Sequence, residues 1–464
     1  MSYDVAILGG GPGGYVAAIR AAQLGAKVCL IEKTRVGGTC LNRGCIPTKT
    51  ILGSIKVLKH INHAEEFGIK VENISVDLEK IIERKNGIVD NLVSGIEFLL
   101  KSYRITLING KGKLKSKNII EVILSNGGQE SVEATNIILA TGSEPANLPA
   151  FNIDGQKVIT SNEALVLKSI PKRMIIIGAG VIGCEFACIL SNLGTEITMI
   201  ELMPNILPTE DINIARRMAQ ILKKQGINIK TKVKINKIEK TNNGVIAVLE
   251  DGETVEADKA LVSIGRTLNT KDIGLEETLV KLTERGAVFV DDYMRTNIDN
   301  IYAIGDITGK VMLAHVASAQ GLVASSNCLG KSIKMDYNVI PSCIYTFPEI
   351  ASVGYTEDKA RQAGIEVKTG TFNFRALGKA QAIGETDGLV RIIAEEKTDR
   401  VLGAQMLGPN VTDLIAEIAL AVKNNLTVKQ ITDTIHAHPT LSEAVLEAAE
   451  DVHGMSIHTA SQKK

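Results

Sequence analysis

Two cysteines, Cys40 and Cys45, lie in the stretch GGTCLNRGCIPTKT at positions 37–50. Three chemistries compete for such a close pair of thiols. Structural zinc favours C-x2-C spacing and a second ligand pair; the sequence offers neither, so no metal site is expected. Two unrelated core thiols are compatible with the frequent burial of free cysteine. A redox-active disulfide fits the setting best. Thiol–disulfide exchange needs an attacking thiolate and a sulfur within reach. A helix starting near Ile46–Pro47 would turn its positive end on Cys45 and lower the pKa of that thiol.

A second reactive cluster is HAHPTLSE at 436–443. Histidine titrates near neutrality and suits general-base work. The same segment reads structurally as well, because Thr440-x-x-Glu443 is the pattern of a helix capping box.

The elements that would position these groups recur in the chain. VAILGGGPGGYVAAIRAAQLGAKVCLIE begins at Val5, and MIIIGAGVIGCEFACILSNLGTEITMIE begins at Met174. Gly9, Gly11, Gly14, Gly25 and Glu32 of the first are matched 169 positions later by Gly178, Gly180, Gly183, Gly194 and Glu201 of the second. Each unit reads as a buried strand, a G-x-G-x-x-G turn, a helix ended by glycine, and a second strand ending in an acid. The first glycine permits the tight turn, the second lets backbone approach a pyrophosphate, and the third lets helix pack on strand. The helix N-terminus attracts the phosphates, and the acid accepts from a ribose hydroxyl. Two units imply two dinucleotides. At the second, Glu201 favours NAD over NADP, since a 2′-phosphate would meet a carboxylate and no arginine follows until Arg216.

The rest of the chain gives a coarser reading. NGIVDNLVSGIEFLLKS (86–102) spaces Ile88, Leu92, Ile96 and Leu99 as the apolar face of a packed helix. NIILATGSEPA (136–146) is a buried strand running into Thr141-Gly142-Ser143, and Pro145 and Pro149 mark a domain boundary near 144. Residues 231–263 alternate as short strands around NNG and EDGE turns. IYAIGD (301–306) is another apolar strand. Beyond about 340 the pattern becomes hairpin-like, and after 411 it becomes helical. The polar tail TASQKK is expected to fray.

Composition excludes several classes of function. The chain has 464 residues, no Trp and only 3% aromatic residues, so base stacking is an unlikely route to function. Lys+Arg and Asp+Glu both number 52, so no global field draws nucleic acid or anionic lipid. Seven cysteines do not make a secreted disulfide framework. The N-terminus lacks the marks of a signal peptide, and no apolar run reaches the length of a membrane span. A cytoplasmic α/β protein is expected.

GGTCLNRGCIPTK, the two fingerprints, ATGS, YAIGD and HAHPTLSE occur together and in order. On these motifs the whole chain resembles the two-cysteine flavoprotein disulfide reductases, and among them the dihydrolipoamide dehydrogenases. The resemblance implies an α/β fold of two Rossmann-like dinucleotide-binding domains plus a C-terminal α+β dimerisation domain. It divides the chain into 1–143 for FAD, 144–265 for NAD, 266–335 returning to the FAD domain, and 336–464 for dimerisation. FAD would contact Gly9, Gly11, Gly14, Glu32, Lys49, Gly112, Thr141, Gly142, Ser143, Asp306, Met312, Ala314 and His315. NAD would contact Gly178, Gly180, Gly183, Glu185, Glu201, Val233 and Gly265. Lys49 would pair with Glu185 beside the isoalloxazine.

In the implied reaction Cys40 exchanges with a dihydrolipoyl dithiol and Cys45 faces the flavin. His438, rather than His436, is the base, and Glu443 orients it. The enzyme would be a homodimer in which this histidine serves the partner's disulfide. Its macromolecular partner would be a lipoyl-bearing protein of a 2-oxoacid dehydrogenase or glycine-cleavage complex, with no lipoyl extension fused to this chain.

Two departures stand out. GRTLN (265–269) replaces the GRRPN frequent in the family, with a modest effect expected on NAD contacts. Arg43 stands between the cysteines, where many relatives carry a small apolar residue, and could steer an acidic partner. Rival readings are weaker. Glutathione-type reductases use NADPH, against Glu201. Mercuric reductase needs cysteines beyond Cys343, the last one here. A non-enzymatic nucleotide sensor would leave Cys40, Cys45, His438 and Glu443 without a purpose.

Overall fold

A computed structural model describes residues 2–460 of the chain. Of the tail expected to fray, 461–464 lie outside the described residues. The chain divides into two compact units. The first runs to Ile170 and resumes over Ile264–Met335; the second comprises Pro171–Ser263 and the residues from Asp336 onward.

The first unit is built on strand β1 (Ser2–Leu8), helix α1 (Pro12–Gln23) and strand β2 (Val28–Glu32). β1 pairs in parallel with β2, and every residue of β2 is buried. Such a continuous apolar run is what a strand covered on both faces requires. Helix α2 (Gly38–Arg43), α3 (Cys45–Asn62) and α4 (Leu78–Ser102) follow. β3 (Thr106–Ser116) runs parallel to β2 and then, in antiparallel register, into β4 (Ile119–Leu124). β5 (Gln129–Leu139) leaves β4 and returns beside β1, with the strand Ile301–Ala303 parallel to it on the far side.

Near residue 144, β6 (Ser143–Pro145) pairs antiparallel with Arg266–Leu268, which belongs to the same unit. One sequence expectation is corrected here. On α4 the buried apolar side chains are Val89, Val93 and Leu100, whereas Leu92 and Leu99 are exposed. The helix is apolar on more than one face, and periodicity alone selected the wrong one.

In the second unit, Arg173–Ile177, Glu196–Glu201, Asn228–Thr231 and Lys259–Val262 form a parallel sheet, with helix Val181–Asn192 between the first two strands. Ile235–Lys240, Val245–Leu249 and Thr254–Ala257 make an antiparallel meander around the NNG and EDGE turns. The C-terminal part is an antiparallel sheet of five strands in the order Ser342–Ile344, Glu349–Gly354, Val401–Gly408, Leu389–Glu395, Val367–Asn373. Helices Val411–Lys423 and Glu443–Val452 bury Ile415, Ile418, Val445 and Ala448 against it, together with Phe372, Phe374 and Met406. Among the described residues no helix is long and apolar enough to cross a membrane.

Candidate active site

The two glycine fingerprints fold alike, atom for atom. Gly9 N–H donates to Ile31 O at 2.8 Å, and Gly178 N–H to Ile200 O at 2.9 Å. Gly9 and Gly178 have φ of 111° and 93°, a left-handed backbone that glycine adopts readily. Glu32 accepts from Gly10 N–H at 2.7 Å and Thr34 N–H at 2.8 Å. Glu201 accepts from Ala179 N–H at 2.7 Å and Met203 N–H at 2.8 Å. The offset of 169 therefore extends to the partners of both acids. Each carboxylate is buried and fixed, with lone pairs remaining for ribose hydroxyls.

The glycines separate into two kinds. A Cβ on Gly14 would lie 1.8 Å from Gly9 O, and one on Gly183 2.1 Å from Gly178 O; packing alone demands glycine there. A Cβ on Gly11 would meet nothing nearer than 3.9 Å, and one on Gly180 nothing within 4 Å. Neither has a positive φ. No protein neighbour explains these two, but a pyrophosphate lying on the backbone at the helix N-terminus does. Both loops thus fit a dinucleotide. Gly112 is different: its Cβ would strike the side chain of Leu8 at 2.6 Å, so the core explains it.

Cys40 is carried by α2, and Cys45 is the first residue of α3. The first-turn N–H groups of α3 face that end of the helix without intrahelical partners. Cys45 is exposed and Cys40 half-buried. The Cys40 thiol is held far above the ordinary range, first by its hydrogen bond with Cys45, then by burial and the charge of Cys45, with Lys49 opposing. In the reduced pair Cys40 therefore keeps its proton. Cys29 and Cys328 are pushed up to about 12 by burial, which leaves them inert.

A polar network joins the other residues assigned to the first site. Ser143 Oγ donates to Asp306 Oδ2 at 2.5 Å. Arg266 donates from Nε to Ser143 Oγ at 2.6 Å and from Nη2 to Ser143 O at 2.7 Å. Asn269 Nδ2 donates to Thr141 O, and Thr141 Oγ1 to Asn269 O, both at 2.9 Å. The expected effect of GRTLN was on NAD contacts; within the protein, Arg266 grips Ser143 and Asn269 grips Thr141. The only hint was the strand-like pattern of ATGSEP. Gly142 has φ of 70°. Met312 and His315 are exposed, and Ala314 starts the helix Ala314–Asn327 that packs on α1, where a Cβ on Gly321 would lie 2.6 Å from Gly13 O.

In the second unit Val233 N–H donates to Glu201 O at 3.0 Å, and buried Glu185 accepts from Tyr345 N–H at 3.1 Å. Gly265 lies in the first unit, where its carbonyl accepts from Ala146 N–H. Arg43 pairs with Glu144 at 2.9 Å.

The two histidines of HAHPTLSE differ sharply. His436 is 5% exposed, with Nδ1 2.9 Å from Thr434 O and Nε2 3.0 Å from Glu417 Oε1. His438 is 78% exposed, with Nδ1 2.8 Å from Glu443 Oε1. Glu443 Oε2 accepts from Thr440 N–H at 2.8 Å, so one carboxylate both orients the imidazole and caps the segment before its helix. Burial pushes the Glu443 carboxyl up. The hydrogen bonds from His438 and Thr440 outweigh it and hold the group below the usual range.

Residues 3–321 match the family model described as pyridine nucleotide-disulphide oxidoreductase, and residues 340–449 match that family's dimerisation domain. The chain belongs to the pyridine nucleotide-disulphide oxidoreductase family. Its similarity to other members of the family runs end to end. A dihydrolipoyl dehydrogenase of Chlamydia trachomatis is 45% identical, over 100% of this chain and 99% of the relative. One of Bacillus subtilis is 45% identical over 98% and 99%. Among solved structures, LpdA from Mycobacterium tuberculosis has a TM-score of 0.92 at 29% identity, over 96% of this chain and 99% of that one. The hypochlorous-acid-induced flavoprotein disulfide reductase RclA of Escherichia coli has a TM-score of 0.87 at 28% identity, over 97% and 99%. This oxidoreductase thus shares both its fold and its domain content with dihydrolipoyl dehydrogenases.

Proposed function

We propose that the protein is a cytoplasmic NAD-dependent dihydrolipoyl dehydrogenase that converts dihydrolipoamide and NAD⁺ to lipoamide, NADH and H⁺. The observation that carries this reading is the Cys40–Cys45 pair, in which Cys45 opens α3 and hydrogen bonding and burial hold the proton of Cys40. The full-length relatives named for this activity support it.

The exchange follows from the two thiols' environments. With the pair oxidised, His438 Nε2 takes a proton from one substrate thiol, and the resulting thiolate attacks Sγ of Cys40. A substrate–Cys40 bond forms, the Cys40–Cys45 bond breaks, and the electron pair leaves on Cys45. The N-terminal end of α3 stabilises that charge. The second substrate thiol then displaces Cys40, which leaves with a proton, as its raised pKa favours. The substrate is now a cyclic disulfide and the enzyme holds two electrons more. Glu443 stabilises the imidazolium and fixes its ring.

The first loop, with Glu32, Thr141, Ser143 and Asp306, is proposed to hold FAD, which when bound would supply the two-electron chemistry between the thiols and NAD⁺. The second loop, with Glu201 and Val233, is proposed to hold NAD. In domain terms, 1–143 with 266–335 serve FAD, 144–265 serve NAD, and 336–464 pair two copies, with His438 serving the partner's disulfide. The exchange partner is a lipoyl-bearing protein of a 2-oxoacid dehydrogenase or glycine-cleavage complex.

Steady-state assays with dihydrolipoamide or glutathione, each with NAD(H) and NADP(H), test the reading. Turnover confined to dihydrolipoamide with NAD⁺ is expected. A preference for glutathione and NADPH would overturn it.

A further inference from the structure

β6 is three residues long, and its side chains alternate between two tasks. Ser143, buried, faces Asp306 and Arg266. Successive strand residues point to opposite sides, and Glu144 faces the other way, toward Arg43 Nη2 at 2.9 Å and Lys33 Nζ at 3.5 Å. Arg43 is the last residue of α2, between the two cysteines. Only Gly44 separates α2 from α3, and a Cβ there would lie 2.9 Å from Thr39 O. The joint between the thiols is therefore a single glycine. The start of α2 is tied by Asn42 Nδ2, which donates to Val36 O and Gly38 O at 3.0 Å. The end of α2 is tied by Arg43 to Glu144.

We propose that Glu144 is a positioning residue for the thiol pair, holding the end of α2 through Arg43 against the strand that carries the Ser143–Asp306 hydrogen bond. This rests on the redox reading of Cys40 and Cys45. When the bond between the sulfurs opens, only the main chain of residues 41–44 links Cys40 covalently to Cys45, and the tether at Arg43 restrains that link. The pair is about one-third exposed on both sides. Such pairs contribute little to global stability, so the consequence of breaking it falls on the thiols rather than on the fold.

The test uses the full-length holoprotein, reduced by two electrons. It reads the rate of iodoacetamide alkylation at Cys40 and Cys45 across pH by mass spectrometry. It also reads the long-wavelength absorbance of a thiolate beside the flavin, with FAD content and melting temperature as controls. Glu144→Gln and Arg43→Gln should each speed Cys40 alkylation by about threefold or more and weaken the long-wavelength absorbance, with melting temperature unchanged. The charge-reversed pair, Arg43→Glu with Glu144→Arg, should return both towards wild type, and Arg43→Lys should stay near it.

The sign separates positioning from a simple field effect. Loss of the Arg43 charge alone would slow alkylation, whereas loss of the Glu144 charge alone would speed it. Opposite shifts from the two single variants, or no shift from either, would overturn the proposal. If wild-type protein lacks the long-wavelength absorbance, the redox reading itself fails, and that is seen before any substitution is made.

Discussion

Glu443 holds His438 by Nδ1 at 2.8 Å, on an imidazole side chain that is 78% exposed. Two residues earlier, His436 has both ring nitrogens within hydrogen-bond distance of acceptors and is almost fully buried. The first arrangement is an oriented and exposed imidazole; the second is a structural bridge between Thr434 and Glu417.

His438→Ala should therefore slow reduction of the enzyme by dihydrolipoamide by about 10²–10⁴-fold, the usual contribution of a positioned base. FAD content and reaction with NADH should stay near wild type. His436→Ala should cost stability rather than chemistry. In a shared-site dimer, mixing His438→Ala with Cys45→Ser subunits restores activity, because one of the two sites is then intact. Stopped-flow reduction and verified mixed dimers check this. Equal damage from both histidine variants would refute the assignment.

The thiols should separate by role. Cys45→Ser should keep FAD but lose the long-wavelength absorbance on two-electron reduction. Cys40→Ser should keep that absorbance and still lose lipoamide turnover. Either single variant turning over near the wild-type rate would dismiss the disulfide chemistry.

The glycines offer a test of ligand against packing. Gly14→Ala puts a Cβ 1.8 Å from Gly9 O and should destabilise the fold by about 3 kcal/mol or more. Gly11→Ala meets no protein atom closer than 3.9 Å, so the apoprotein should melt as wild type does, while FAD affinity falls by at least about tenfold, or ~1.4 kcal/mol. Unaltered FAD binding by a folded Gly11→Ala variant would remove the pyrophosphate from that loop.

Much of this was legible in the sequence because it is local. A strand, a glycine turn and a terminal acid form one contiguous pattern, and the repeat at 169 fixed both copies. A helix start near Ile46–Pro47 was legible as well, and α3 begins at Cys45. Contacts between distant segments were not legible. Arg266 reaches Ser143 across 123 residues, and Arg43 reaches Glu144 across 101. Nothing local to 265–269 or 40–45 announces either contact. The buried face of α4 was misjudged for a related reason: periodicity shows that a helix has an apolar face, while the neighbouring elements decide which of two faces is covered.

Coenzyme choice should follow Glu201. Its carboxylate is fixed by Ala179 N–H and Met203 N–H, and the next side chains, Leu202 and Met203, are exposed and uncharged. A 2′-phosphate would meet that negative charge. NAD⁺ should be preferred in kcat/KM, and Glu201→Ala should narrow that preference without abolishing turnover. Comparable kcat/KM with the two wild-type coenzymes would contradict the role.

The C-terminal segment should be held in a pH window set by one pair of groups. Glu447 accepts from Ser456 Oγ at 2.6 Å, Ile457 N–H at 3.1 Å and His458 N–H at 3.2 Å, and its Oε1 lies 2.5 Å from His458 Nδ1. Hydrogen bonding and charge from Glu447 raise His458 above its ordinary 6.5. A raised folded pKa stabilises fully below the unfolded value, and the effect is lost as pH rises through the folded one. Burial pushes Glu447 up, but its hydrogen bonds prevail and the carboxyl lies below its ordinary 4.5. That contribution is present above the unfolded value and lost as pH falls through the folded one. The anchor is therefore strongest between about pH 4.5 and 6.5, fading in acid as Glu447 protonates and in base as His458 loses its proton. Amide hydrogen exchange at Ile457 and His458, corrected for its intrinsic pH dependence, should show greatest protection in that interval, and Glu447→Gln should flatten the profile. Protection that rises steadily from pH 6 to 9 would contradict the pairing.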